Sequence, residues 1–206
     1  MSNTGMLIII SGPSGSGKGT VVRQLTDTND KYALSISMTT RQRREFEIDG
    51  KDYFFCNEKD FILRRDNNEL LEHAVFCGNL YGTPKYYVEE QIKEGKAVIL
   101  EIDVNGALQV KEKFKDAVLI FLIPPTLEEL YFRLVGRNTE NEEVIQDRLR
   151  KARDEINLLD KYDYLVINDE VLKAVEKINY IINAEYLKPH RNKVFIENLK
   201  GVEVNA

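Results

Sequence analysis

Cysteine and histidine are scarce in this 206-residue chain, with two of each, and that scarcity removes several chemistries. Cys56 and Cys77 stand too far apart for a CxxC redox or zinc motif. With only His73 and His190 beside them, no zinc cluster assembles. Positive charge is not in excess either: the formal net charge is -5, whereas broad binding to nucleic acid needs a positive field. A local basic pocket for a small phosphorylated ligand stays compatible with that charge. Long apolar runs are missing as well. No basic segment followed by a long apolar run opens the chain, so no signal peptide is expected. The run at residues 117–123 stops at Pro124 and Pro125, far below membrane-spanning length. Neither nucleic acid nor membrane is an expected partner, and the expected compartment is the cytoplasm. Repeats and low-complexity linkers are absent too. What remains, 43% hydrophobic and 31% charged residues, is ordinary for a globular protein whose length allows one sizeable core with small inserted lobes.

Within that frame, residues 6–20 are the most informative stretch. Met6, Leu7, Ile8, Ile9 and Ile10 read as a buried parallel strand. Next comes Ser11-Gly12-Pro13-Ser14-Gly15-Ser16-Gly17-Lys18-Gly19-Thr20. Its glycines let the main chain turn tightly, so that successive N–H groups face an anion. Lys18 adds a cation, and Val21, Val22 and Leu25 mark the packed face of a following helix, whose N-terminus favours phosphate. The spacing fits a P-loop except at Gly19, where the pattern asks for Ser or Thr. Thr20 is the nearby hydroxyl, and its contact with magnesium is left open by the sequence. A Gly/Ser linker is the plain alternative, but a linker has no reason to join an apolar strand to an amphipathic helix.

Further along, short strands are expected at 32–37, 97–102, 117–123 and 164–167, with two more inside 70–84. Helices are expected at 58–66, 84–95, 104–114, 126–135, 141–159 and 171–187. Pro84 would open one helix and Gly95 close it, while Thr126 is an N-cap. Alternating buried strands and helices define an α/β protein with a mainly parallel sheet flanked by helices. Ligands of such sheets gather at the carboxyl ends of strands, which groups Gly12 to Lys18, Asp103 and Asn168 at one rim. Residues 37–84 break the alternation and read as a small mixed lobe inserted into the core.

That lobe carries Thr39-Thr40-Arg41, Arg44 and Glu47, then Asp49-Gly50-Lys51-Asp52-Tyr53, Glu72 and Gly78-Asn79-Leu80-Tyr81-Gly82-Thr83. Together with the P-loop, these motifs closely resemble guanylate kinase of the bacterial type, a P-loop nucleoside monophosphate kinase. The resemblance runs over residues 5–186. It implies a P-loop NTPase core (5–36, 85–126 and 159–186), a GMP-binding lobe (37–84), a helical lid (127–158) and a tail, 187–206, whose role it does not give. By the same resemblance Gly12, Pro13, Ser14, Gly15, Ser16, Gly17, Lys18, Gly19, Thr20, Arg133, Arg137 and Asn168 would bind ATP. Arg41, Arg44, Tyr53 and Tyr81 would hold the GMP phosphate; Ser37, Glu72, Thr83 and Asp103 would surround the guanine, with Glu47 beside them. Lys18, Arg41, Arg137 and Arg148 would be catalytic. Mg²⁺ would accompany ATP, held mainly by phosphates and water, with Thr20 as its candidate protein ligand. Phe46 departs from the family, which usually has glycine there.

The chemistry is coherent. A carboxylate such as Glu72 can accept both the N1–H and the amino donors of guanine, and adenine would leave it buried and unpaired. Arginine's planar fork suits phosphate. Read singly, Arg41, Arg43 and Arg44 are equally a solvated turn, and Arg133 is equally half of an ion pair with Glu129. The implied reaction is in-line transfer of the ATP γ-phosphoryl group to GMP, which gives ADP and GDP. A kinase of another small phosphorylated acceptor would share the P-loop but lack the guanine-reading set. A catalytically inactive, protein-binding relative would lack an intact P-loop. Neither dGMP acceptance nor oligomeric state is legible.

Overall fold

The computed structural model describes residues 5–136 and 142–201. Its centre is a five-stranded sheet in the order β2 (Tyr32–Leu34), β7 (Ala97–Glu101), β1 (Met6–Ser11), β8 (Val118–Ile123), β9 (Tyr164–Ile167). Every pairing in it is parallel. Strand β1 is buried along its whole length, as its uninterrupted apolar sequence requires of a central parallel strand. Successive side chains alternate between two cores. Met6, Ile8 and Ile10 pack with Val21, Val22 and Leu25 of α1 (Lys18–Asp27) and Ile178 of α7 (Val171–Tyr186). Leu7 and Ile9 pack with Val88 of α3 (Lys85–Lys93) and Val110 of α4 (Val104–Lys113). Truncating any one of these leucines, isoleucines or Met6 to alanine costs about 2–5 kcal/mol.

The helix ends follow local chemistry. Thr126 caps α5 (Leu127–Val135), its Oγ1 accepting from the Glu129 amide at 3.0 Å. Asp103 caps α4, with Oδ1 2.8 Å from the Gly106 amide. Pro84 precedes the first turn of α3, and Gly95, at φ +85°, ends it in the left-handed region that glycine tolerates best.

The irregular stretch forms a second, four-stranded sheet in the order β4 (Phe54–Phe55), β3 (Met38–Thr39), β6 (Asn79–Pro84), β5 (Leu70–Phe76). It is mixed: β3 and β4 are parallel, and β6 is antiparallel to both of its neighbours. With α2 (Glu58–Asp66) it encloses a small core of Met38, Phe61 and Leu70. Helices α5 and α6 (Glu142–Ile156) share a separate cluster of Leu130, Leu134, Ile145, Leu149 and Ala152.

One expectation is corrected, and the tail, whose structure the sequence leaves open, is described in part. Strand β2 stops at Leu34, with only the Ser35 amide continuing the ladder to Ile99. By Ser37 the chain has turned into the small sheet, where its carbonyl accepts from the Phe54 amide. In the tail, the short apolar run at 194–196 lies in helix α8 (Lys193–Gly201) and not in a strand. Asn192 precedes that helix, its Nδ2 donating to the carbonyls of Tyr186 and Lys188. Residues 202–204, open between a short strand, a docking segment and partial order, lie outside the described residues. No helix among the described residues is long and apolar enough to cross a membrane.

Candidate functional site

The loop after β1 turns where its glycines require. A Cβ on Gly12, at φ +144°, would lie 2.1 Å from the Leu122 carbonyl oxygen, and one on Gly17, at φ +88°, 2.5 Å from Asn168 Nδ2. Only glycine fits either position. The loop is braced from behind: Asn168 Nδ2 donates to the Ser16 carbonyl at 2.8 Å, and Arg133 Nη2 donates to the Asn168 carbonyl at 3.0 Å. Arg133 also donates from Nε to Glu129 at 2.8 Å, so the intrahelical ion pair and a place at the loop coexist. Lys18 Nζ curls back to the carbonyls of Gly12 and Pro13 at 2.6 and 3.1 Å. From α6, Arg148 Nη1 reaches across to Ser14 Oγ at 2.9 Å. Thr20 is exposed on the first turn of α1, next to Gly19. Arg137 lies outside the described residues.

The small sheet supplies the facing wall. Arg41 Nη2 donates to Glu47 Oε1 at 2.6 Å, and the other Glu47 oxygen accepts from the Arg44 amide at 2.8 Å. The Arg41 hydrogen bond, helped by the Arg44 amide, holds the Glu47 carboxyl below its ordinary range. Phe46 is 90% exposed, so the residue that departs from the family pattern projects into solvent while Glu47 keeps both partners. The Arg41 guanidinium lies over the rings of Tyr53 and Phe55, 5.4 and 5.8 Å from their centroids, in cation–π reach.

Between the small sheet and the end of β7 is a cavity of about 260 Å³ lined by Ser37, Tyr53, Glu72, Tyr81 and Asp103, together with Ala74, Phe76, Glu101 and Ile102. Glu72 is only 5% exposed, so it is not a solvated position on its strand. Thr83 Oγ1 donates to Glu72 Oε1 at 2.6 Å. A Cβ on Gly106 would sit 3.2 Å from Glu72 Oε2 and 3.4 Å from Asp103 Oδ1, which places both carboxylates beside the start of α4. Burial raises the Glu72 carboxyl to about 7; the Thr83 hydrogen bond opposes that rise and the charge of Asp103 adds to it. A buried carboxylate on a cavity wall is suited to a ligand that brings paired N–H groups.

Sequence reasoning passed over Glu101. It ends β7 in register with Ile10 of β1, and its Oε1 lies 3.4 Å from where a Cβ on Gly19 would be. Burial raises its carboxyl, and Lys18 and Arg23 pull it back down. The available signal was an acidic residue closing an otherwise apolar strand beside the P-loop strand. Ala74 and Phe76 were also passed over; their two-residue spacing from Glu72 marks them as sharing its strand face.

Comparison with known proteins agrees with this geometry. The guanylate kinase family model matches residues 4–185. The chain is 51% identical to a guanylate kinase of Lactococcus lactis over 191 residues, 93% of each chain. It is 51% identical to one of Bacillus cereus over 203 residues, 98% of this chain and 99% of the other. Among solved structures, the guanylate kinase of Anaplasma phagocytophilum superposes with a TM-score of 0.75 at 31% identity over 98% of both chains.

Proposed function

This chain belongs to the guanylate kinase family, and from that premise we propose how its residues divide the work of phosphorylating GMP with ATP. The activity is that of a nucleoside monophosphate kinase: ATP and GMP are converted to ADP and GDP. The P-loop from Gly12 to Thr20 takes the donor phosphates on main-chain amides and Lys18. Asn168 and Arg133 hold that loop's shape from behind, and Arg137 completes the ATP set. Arg41, Arg44, Tyr53 and Tyr81 bind the acceptor phosphate, while Ser37, Glu72, Thr83 and Asp103 read the guanine and Glu47 orients Arg41. This division takes residues 37–84 as the acceptor lobe, 127–158 as the lid and the remainder of 5–186 as the core.

The carrying observation is Glu72, buried against the Thr83 hydroxyl and lining one cavity with Asp103, Tyr53 and Tyr81. Guanine offers that carboxylate two donors at once. Adenine has a lone pair at N1 and no amino group at C2, so it cannot offer that pair, and sites built on such pairing discriminate by several orders of magnitude.

Little covalent chemistry is required of the protein. A phosphate monoester has its second pKa near ~6, so the nucleophilic oxygen of GMP is ionised at neutral pH and no general base is needed. The chain must align two anions that repel each other and neutralise charge as it moves. Lys18 from α1 and Arg148 from α6 do this, and Arg148 already reaches the loop at Ser14. Closure of lid and lobe excludes water and limits wasteful hydrolysis. Kinases of this family use a divalent metal with ATP, here read as Mg²⁺. The hydroxyl of Thr20 and the carboxylate of Glu101 beside Gly19 are hard oxygen donors that fit such an ion. When bound with ATP, it supplies neutralisation of phosphate charge.

A coupled assay with GMP, dGMP, AMP and UMP as acceptors tests the reading. GMP turnover should exceed AMP and UMP turnover by at least about a thousandfold in kcat/KM. Comparable rates with AMP would overturn the guanine assignment.

A further inference from the structure

Strand β5 presents Glu72, Ala74 and Phe76 to the cavity at two-residue intervals. Its deep end is a carboxylate 5% exposed and its outer end an aromatic ring 64% exposed, the reverse of ordinary burial preference. A lone exposed aromatic means little, but this one is built into a row. The Phe76 ring meets Tyr81 edge-on, with centroids 6.4 Å apart and planes at 69°. Tyr81 meets Tyr53 in the same manner at 6.0 Å and 68°, and Tyr53 meets Phe55 at 5.8 Å. Arg41 lies over the far end of the row, on Tyr53 and Phe55. The two inner rings carry hydroxyls; the two outer rings do not.

We propose that Phe76 is a positioning residue of the acceptor site, acting through Tyr81. Its ring packs against the outer edge of Tyr81 and keeps the phenol turned along the row toward Arg41, where the acceptor phosphate is bound. This rests on the assignment of the cavity to GMP. The physical gain is preorganisation. A phenol at a cavity mouth with nothing behind it would have to give up side-chain freedom whenever it donates to a ligand, whereas a packed one has already given it up. Because Phe76 contributes no donor and is mostly exposed, its effect should fall on acceptor affinity and scarcely on folding.

The test measures GMP affinity by titration calorimetry without ATP, alongside steady-state kinetics. Phe76→Ala should weaken GMP binding about two- to tenfold, the scale of a lost edge-to-face ring contact. The KM for GMP should rise in step, with the KM for ATP and the melting temperature unmoved. Phe76→Tyr keeps the ring and should restore affinity. In a double-mutant cycle, Phe76→Ala should weaken binding less on a Tyr81→Phe background, where no hydroxyl is left to aim. Unchanged GMP affinity in Phe76→Ala, or an equal penalty on both backgrounds, overturns the proposal. Glu72→Ala separates the two levels: undiminished GMP affinity there overturns the acceptor-site assignment itself. Loss in Glu72→Ala without loss in Phe76→Ala overturns only the role of Phe76.

Discussion

Between Gly12 and Lys18 the groups assigned to phosphate are mostly main-chain amides, on a loop pinned by Leu122, Asn168 and Arg133. Between Ser37 and Thr83 the assigned groups are side chains: two guanidiniums and two phenols for phosphate and a buried carboxylate for guanine, on a thin sheet whose core is Met38, Phe61 and Leu70. Main-chain amides are the same whatever the sequence, so the first region can recognise a triphosphate and nothing finer. Side chains carry chemical identity, so the second region names the acceptor. The cost of that specificity is visible in the electrostatics. The loop satisfies its lysine with its own carbonyls, whereas the small sheet holds Glu72 in a place that resists its charge.

The hardest blow to this division should come from Lys18. Lys18→Ala removes the cation that follows charge onto the transferred group, and loss of one such contact costs about 10²–10³ in kcat. GMP binding, measured alone by calorimetry, should be unchanged and the protein should stay folded, since Lys18 is only half-buried. If GMP affinity fell as far as turnover, the two regions would not be separable.

That asymmetry also decides what could be read in advance. A main-chain site writes itself into glycine spacing, and the positions of Gly12 and Gly17 were legible because no other residue fits them. Caps such as Thr126 were legible for the same local reason. Glu72 was visible as part of a family motif, but its burial was not. Leu70 and Leu71 beside it fit a half-buried strand equally well, and only the packing of α4 at Gly106 against its carboxylate settles the matter. Glu101 carried only a weak signal, being one acidic residue at the end of an apolar strand. The tail helix was not legible because a three-residue apolar run reads as strand or helix alike.

Glu72→Gln sharpens the comparison at an intermediate size, because function and stability should move in opposite directions. An amide would present a donor where guanine also presents donors, so kcat/KM for GMP should fall by at least about tenfold. In the ligand-free protein the carboxyl is raised from 4.5 to about 7, above its value in the unfolded chain. The folded state therefore binds the proton more tightly, and its stability is lost as pH rises between those values. The full penalty above pH 7 is about 3 kcal/mol. Urea unfolding of Glu72→Gln should show a gain approaching that size at pH 8, shrinking below about 1 kcal/mol at pH 5. A variant no more stable than the parent at pH 8 would mean that the buried charge is compensated elsewhere.

The gentlest probe leaves the sequence intact and varies only pH. Guanine donors favour the ionised form of Glu72, so binding GMP at pH 7 must expel the proton that about half of the molecules carry there. The KM for GMP should then fall about tenfold between pH 6 and pH 8, and GMP binding should release protons at pH 7 in buffers of differing ionisation enthalpy. The GMP phosphate titrates near ~6 and contributes at the lower end, so Thr83→Val provides the control. It removes a hydroxyl that donates to the carboxylate at 2.6 Å and favours its ionised form. Glu72 should then hold its proton to higher pH, and the inflection in KM should move upward with it, while a phosphate titration would stay where it was. A profile unmoved by Thr83→Val would assign the pH dependence to GMP alone and leave Glu72 ionised throughout. The acceptor wall would then be as insensitive to its surroundings as the loop it faces.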